Sequence, residues 1–121
     1  MLIKSRAVGE IRIRSEDRFY LEVIFLDGET EAAADSSSYQ FFSKLAAAGR
    51  VADLVNAQHP RKRNEDRVEI LAKDEASGEL RRIPNTAYLN DLGKKGKVIP
   101  FSRVVVRRVK PGEDLTDTLD L

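Results

Sequence analysis

The chain has 121 residues, 41% hydrophobic and 34% charged, which is enough for one globular domain with its own core. It has no cysteine and a single histidine, which excludes a disulfide framework, a thiolate metal site, a cysteine nucleophile and a histidine cluster for zinc or iron. No apolar stretch approaches the roughly 20 residues of a membrane span, and the N-terminus alternates apolar and charged residues, so we expect a cytoplasmic protein without membrane contact.

Charge is divided unevenly along the chain, although the formal net charge is only +1. All 21 basic residues precede Glu113 and four of the 20 acids follow Gly112, so residues 1–112 carry +5 and residues 113–121 carry −4. Residues 94–110 contain seven basic residues and no acid. We therefore expect a single domain over residues 1–112 and an acidic, disordered tail over residues 113–121.

The first part of the chain predicts three strands. Residues 8–14 end in apolar and basic alternation, which is typical of a strand with one buried face. Residues 18–26 are apolar on both faces, which indicates a central strand covered on both sides. Asp27 and Gly28 form a strong hairpin signal, and residues 29–34 are the expected returning strand.

A main helix is predicted over residues 38–58, because Phe41, Leu45, Ala48, Ala52 and Val55 recur at helical spacing. The serines before it and Asp35 are N-cap candidates. Gly49 either ends a first helix or is a packing glycine inside one.

The second half predicts strands at residues 68–73 and 80–83, a short helix that starts at Pro84 and is closed by Gly93, and a last strand at residues 98–109. The order β-β-β-α-β-β-α-β predicts an α+β domain in which a mostly antiparallel sheet is packed by one main helix. At the level of topology alone, this order resembles that of β-grasp domains.

One face of the last predicted strand carries basic and aromatic side chains. Phe101, Arg103 and Arg107 share that face, and such a mixture is typical of proteins that bind single-stranded nucleic acid, where guanidinium groups hold phosphates and rings stack on bases. The alternative is a solvated face whose arginines guard an edge strand against aggregation. With a neighbouring strand and a lysine loop added, the predicted nucleic-acid site consists of Arg12, Arg14, Lys94, Lys95, Lys97, Phe101, Arg103 and Arg107.

A protein-interaction module, such as an inhibitor, adaptor or assembly subunit, is the competing prediction. It would act through a sheet edge or through an exposed aromatic patch formed by Tyr39 and Phe42, and a homodimer formed by edge pairing is a further option. The acidic tail alternates acids with leucines. It is either a competitor for the basic face, a short partner-binding peptide or a solubilising end.

Function is therefore expected to lie in binding and not in catalysis. No motif in the sequence matches a nucleotide-cradling loop, a metal site or a nucleophile with its base, so we expect no enzyme activity, no catalytic residue, no metal and no cofactor. DNA or RNA is the leading ligand, without sequence specificity, because base readout needs placed side chains that no motif identifies.

Overall fold

The computed structural model describes residues 9–10, 12–27, 37–58, 67–74, 77–109 and 118. A single turn of 3-10 helix, Ser15–Asp17, precedes the first strand. The remaining elements, in chain order, are β1 (Arg18–Asp27), β2 (Ser38–Ser43), α1 (Ala48–Ala57), β3 (Arg67–Lys73), β4 (Leu80–Arg82), α2 (Leu89–Lys94) and β5 (Arg103–Val109).

The five strands form one mixed sheet in the order β2-β1-β5-β3-β4. Among these five strands, β1 pairs with the central strand β5 in parallel, and the other three pairs are antiparallel. The helix α1 packs on one face of the sheet, here called the inner face. The predicted α+β domain, a mostly antiparallel sheet packed by one main helix, is confirmed.

The core lies between α1 and the inner face. The helix buries Ala48, Val51, Ala52 and Val55, which recur at helical spacing, against apolar side chains of the three central strands. Burial of a valine, leucine or isoleucine side chain contributes about 1.5–3 kcal/mol. The fully buried strand residues of this layer are Leu21, Val23, Ile70, Val104 and Val106.

Residues 38–43 form strand β2, and the prediction of a helix there is wrong. In the antiparallel register with β1, Phe42 lies opposite Phe19 and Phe41 lies opposite Tyr20. Aromatic side chains fit such cross-strand positions well, so pairing with β1 outweighs the helical spacing that Phe41 shares with later residues. The helix begins only at Ala48, and Leu45 lies in the turn before it.

Backbone carbonyls of another loop cap the N-terminus of α1. The N-cap residue, Ala47, offers no side-chain oxygen. The N–H of Ala48 instead donates to the carbonyl of Ala87 at 2.7 Å, and the N–H of Gly49 donates to the carbonyl of Asn85 at 3.0 Å. The predicted serine caps are wrong for the described serines, while Asp35 lies outside the described residues.

The aromatic patch predicted from Tyr39 and Phe42 is not formed. Side chains alternate between the two faces of a strand, so residues 39 and 42, three positions apart on β2, point to opposite faces of the sheet. Phe42 faces the core and is only 4% exposed, whereas Tyr39 is half-buried on the outer face. The prediction failed because it placed both rings on a helix.

The other elements follow the predictions unevenly. Strands β3 and β4 lie where expected, but the last strand starts five residues later than predicted, at Arg103. The short helix also begins later, at Leu89. Within residues 8–14, Gly9, Glu10 and residues 12–14 form no strand, which corrects the first predicted element. The predicted strand at residues 29–34, with Gly28 of its turn, lies outside the described residues.

We predict that Phe42→Ala lowers the free energy of unfolding by about 3–5 kcal/mol, because it empties a buried aromatic site. Leu45→Ala should change it by no more than about 0.5 kcal/mol, since Leu45 is 70% exposed. Urea denaturation of both variants measures the difference. A large loss from Leu45→Ala would restore the helical interpretation and contradict the observed start of α1.

Candidate functional site

Three lysines of the predicted site lie on a capped helix end. The N–H of Lys97 donates to the carbonyl of Leu92 at 2.9 Å, and the N–H of Gly96 donates to that of Gly93 at 3.2 Å. These two bonds, with Gly96 at φ 71°, form a Schellman motif. Lys94 and Lys95 are exposed and Lys97 is partly exposed, so local hydrogen bonding holds the three cations around one turn.

A tight turn follows the lysines. Val98 is buried and anchors the chain to the core, and the N–H of Ser102 then donates to the carbonyl of Ile99 at 3.1 Å. Pro100 and Phe101 occupy the two central positions, and Phe101 has a φ of 69°. This combination is typical of a type II turn, whose third position favours glycine. A phenylalanine there stores about 1–3 kcal/mol of backbone strain.

The ring of the strained residue, Phe101, stacks on the ring of Tyr20. Phe101 stacks on Tyr20 with centroids 5.4 Å apart and an interplanar angle of 11°, and its N–H donates to the carbonyl of Tyr20 at 2.7 Å. Tyr20 in turn packs against Phe41 at 5.6 Å, and the guanidinium of Arg18 lies 4.2 Å from the centre of the Phe41 ring. Phe101 is 36% exposed at the end of this row, whereas Tyr20 is buried. Residues 94–102 are called the basic loop below.

Arg103 lies on the outer face of the sheet, directly after the basic loop, and is paired with an acid. It is the parallel neighbour of Glu22, and its Nε donates to Oε1 of Glu22 at 2.6 Å. This hydrogen bond holds the pKa of Glu22 below its ordinary value. The arginine side chain nevertheless remains 62% exposed.

Arg107 is held more tightly. It lies opposite Glu69 of β3, and its Nε and Nη2 both donate to Oε1 of Glu69, at 2.9 and 2.6 Å. The Glu69 side chain is 1% exposed, so this pair belongs to the packed sheet and not to an open surface. Between the two ion pairs, Ile24, Leu71 and Val105 form a buried apolar cluster on the outer face.

The predicted basic stripe is therefore only partly assembled. Arg103 and Arg107 do share a face, as predicted, but each is neutralised by a glutamate of a neighbouring strand. Arg12 and Arg14 lie in the turn before Ser15–Asp17 and not on the sheet, and Arg14 pairs with Glu16. By contrast, the three lysines of the basic loop make no ion pair with any residue within the described ranges.

Exposed apolar side chains lie at the same end of the sheet as the basic loop. At this end β1 and β5 begin and β2 ends. The turn after β2 runs beside the start of α2, where the N–H of Leu89 donates to the carbonyl of Ala46 at 3.0 Å and Ala47 bridges Tyr88. Leu45, Tyr88 and Ile99 are 70%, 51% and 54% exposed. The sequence pattern assigned neither Leu45 nor Tyr88 to a surface.

A groove of about 410 Å³ lies beside β2 and α1. Gln40 and Gln58 exchange side-chain hydrogen bonds of 3.0 and 2.8 Å at this groove, and Phe41 and Leu54 supply apolar lining. It draws residues from the segment before β1, from β2 and from α1. No local motif in the sequence signals it, because these segments are far apart along the chain.

Comparison of the sequence with models of known protein families found no match, and comparison with curated proteins found no similar sequence. Neither helix of the described part of the chain is long and apolar enough to cross a membrane. Among the same residues, no three acidic or histidine side chains are grouped so that they could hold a metal ion.

We predict that Glu22→Gln destabilises the protein near neutral pH and that the loss shrinks as the pH falls. The pKa of Glu22 is lowered in the folded state, so its ion pair stabilises the fold above the ordinary carboxylate pKa of about 4.3. That stabilisation disappears as the pH falls through the lowered value. Urea midpoints of wild type and variant across this acidic range measure the difference.

The control for this prediction is Glu79→Gln, which removes one exposed carboxylate outside the pair. A Glu22→Gln deficit that stays constant from neutral to strongly acidic pH would contradict an electrostatic origin. It would instead assign the loss to packing of the side chain.

Proposed function

We propose that this chain is a non-enzymatic binding protein that contacts single-stranded DNA or RNA, without sequence specificity, through the basic loop. The observation that carries the proposal is the position, on one hydrogen-bonded loop, of the strained, exposed ring of Phe101 beside Lys94, Lys95 and Lys97, which make no ion pair within the described residues. Single-stranded nucleic acid is recognised through this combination of stacking and charge neutralisation.

The ring of Phe101 supports the stacking half of the proposal. Its backbone position favours glycine, so the side chain is kept there at a conformational cost. Tyr20 supports the ring from behind, which fixes its plane without covering it completely. A base stacked on such a ring contributes about 1–3 kcal/mol.

The three lysines of the basic loop support the proposed neutralisation of phosphates. Each lysine that neutralises a phosphate of a single strand releases counterions, which makes binding weaken as salt rises. Arg103 is exposed beside the loop and can contact a phosphate from within its ion pair with Glu22. Arg107 has no part in the proposed interface, because its guanidinium is committed to the buried Glu69. The proposed interface is thus the loop and its edge, and not the sheet face.

A protein-interaction module is the second candidate, and the exposure of Leu45, Tyr88 and Ile99 favours it. Aliphatic side chains add little to nucleic-acid binding but are useful against a protein surface. The neighbouring lysines would select an acidic partner. An oligonucleotide titration separates the candidates, because such a module should leave oligonucleotide mobility unchanged even at low salt.

We predict that Lys94→Ala, Lys95→Ala and Lys97→Ala together weaken binding to an oligothymidine or oligouridine and flatten its salt dependence. Three lost phosphate contacts should lower the slope of log affinity against log salt by about 2. Fluorescence polarisation with labelled oligonucleotides measures both quantities. The matched control is Arg50→Ala, which removes an exposed cation of α1 and should leave the slope unchanged. An unaltered slope in the triple variant would remove the loop from the interface.

We predict that Phe101→Gly weakens the same binding about tenfold or more while relieving the strained φ of 69°. Phe101→Tyr keeps an aromatic face and should bind like wild type. Because glycine suits this turn position, the loss cannot be attributed to a broken loop. Equal affinity of the glycine and tyrosine variants would contradict stacking, and absence of oligonucleotide binding by wild type at low salt would overturn the proposed function.

A further inference from the structure

The edge of the sheet at β4 is in contact with the C-terminal tail. Thr118 forms a parallel β-bridge with Arg82, the last residue of β4. The Nη2 of Arg82 also donates to Oγ1 of Thr118 at 2.8 Å. Thr118 lies 36 residues further along the chain than Arg82, so this contact is tertiary and is not imposed by a local turn.

An edge strand leaves a row of backbone donors and acceptors unpaired, and proteins protect or use such rows. Strand β4 has three residues and pairs with β3 on one side only. From the bridge, we propose that residues 113–121 dock along β4 as an additional parallel strand, so that the chain's own tail occupies a site for extended acidic segments. This is strand addition within one molecule, with affinity supplied by main-chain hydrogen bonds and selectivity by side chains.

The charges of the two segments are complementary. Strand β4 contributes Arg81 and Arg82, whereas the tail carries four acids and no base. If the observed register is continued by one residue, Arg81 lies opposite Asp117. Arg81 forms an ion pair with Asp74, whose Oδ2 lies 3.3 Å from its Nε, and this buried Nε makes no hydrogen bond within the described part of the chain. The two arginines of β4 nevertheless give the edge a basic character that suits an acidic strand.

The pattern of the tail also suits a strand. Leucines and threonines dominate residues 115–121, and threonine favours strands. In a strand that contains Thr118, residues 116 and 120 share its face and residues 117 and 119 lie on the other. The tail reaches this edge in the same molecule, so its effective concentration is in the millimolar range and even a weak strand contact is populated.

The first experiment measures amide hydrogen exchange of β4 in the full chain. Thr118→Pro removes the hydroxyl that accepts a hydrogen bond from Arg82 and restricts the backbone at the bridge, and we expect at least one amide of Leu80–Arg82 to exchange tenfold faster or more. The matched control is Leu121→Pro, which puts the same residue beyond the bridge and should change β4 little. Unchanged exchange in Thr118→Pro would overturn the proposal.

The second experiment supplies the tail as a separate molecule. A labelled peptide of residues 113–121 should bind the full-chain Thr118→Pro variant at least tenfold more tightly than wild type, whose edge is already occupied. Adding Arg82→Ala to that variant should weaken peptide binding, whereas adding Arg50→Ala, an exposed arginine of α1, should not. Equal binding to wild type and variant would overturn occupation by the tail.

Protein concentration distinguishes the source of the docked tail. Protection of β4 within one molecule is independent of concentration, whereas protection by the tail of a second copy is lost on dilution. Loss on dilution would overturn docking within one chain. Oligonucleotide binding plays no part in any of these measurements, so their result is independent of the function proposed for the basic loop.

Discussion

The parallel pairing of β1 with β5 is the contact on which the rest of the structure depends. Both strands are covered on both faces: their inner residues pack against α1, and Ile24 and Val105 of their outer faces join a second apolar cluster. The pairing places Glu22 beside Arg103 and brings the turn that contains Phe101 over Tyr20. The position of the basic loop is therefore a consequence of how the sheet is joined at its centre.

The predicted fold class was correct because the sequence contains strong strand signals. Residues 18–26 are apolar on both faces, and that pattern correctly predicted a strand covered on both sides. The stretch at Ser38–Ser43 was assigned to the wrong element, because Phe41 and Phe42 satisfy helical spacing as well as strand pairing. The choice between helix and strand for these residues depends on whether β1 is available as a pairing partner. The cap of α1 was unpredictable for the same reason, since it comes from the carbonyls of Asn85 and Ala87.

The sequence predicted the basic residues of the candidate site but not the ion pairs that two of them form. The period of a strand correctly placed Arg103 and Arg107 on one face. It could not reveal Glu22 and Glu69, whose pairing depends on strand order and register. The lysines lie on a helix end outside the sheet, where no acid of a described strand lies beside them. A proline before Phe101 is a turn signal, and it could have shown that the last strand begins after this ring.

The place of β5 in the sheet has a consequence for how the chain acquires its structure. The final strand in the sequence lies in the middle of the sheet, between β1 and β3, so each of its neighbours is far away along the chain. Contacts between distant segments form slowly, because closing long loops costs entropy before the contacts are made. During synthesis, the earlier strands and α1 must wait with exposed apolar faces until residues 103–109 are available. Folding of this domain is thus expected to complete only after residues 103–109 have been made, and loss of this short strand would remove the centre of the sheet rather than its edge.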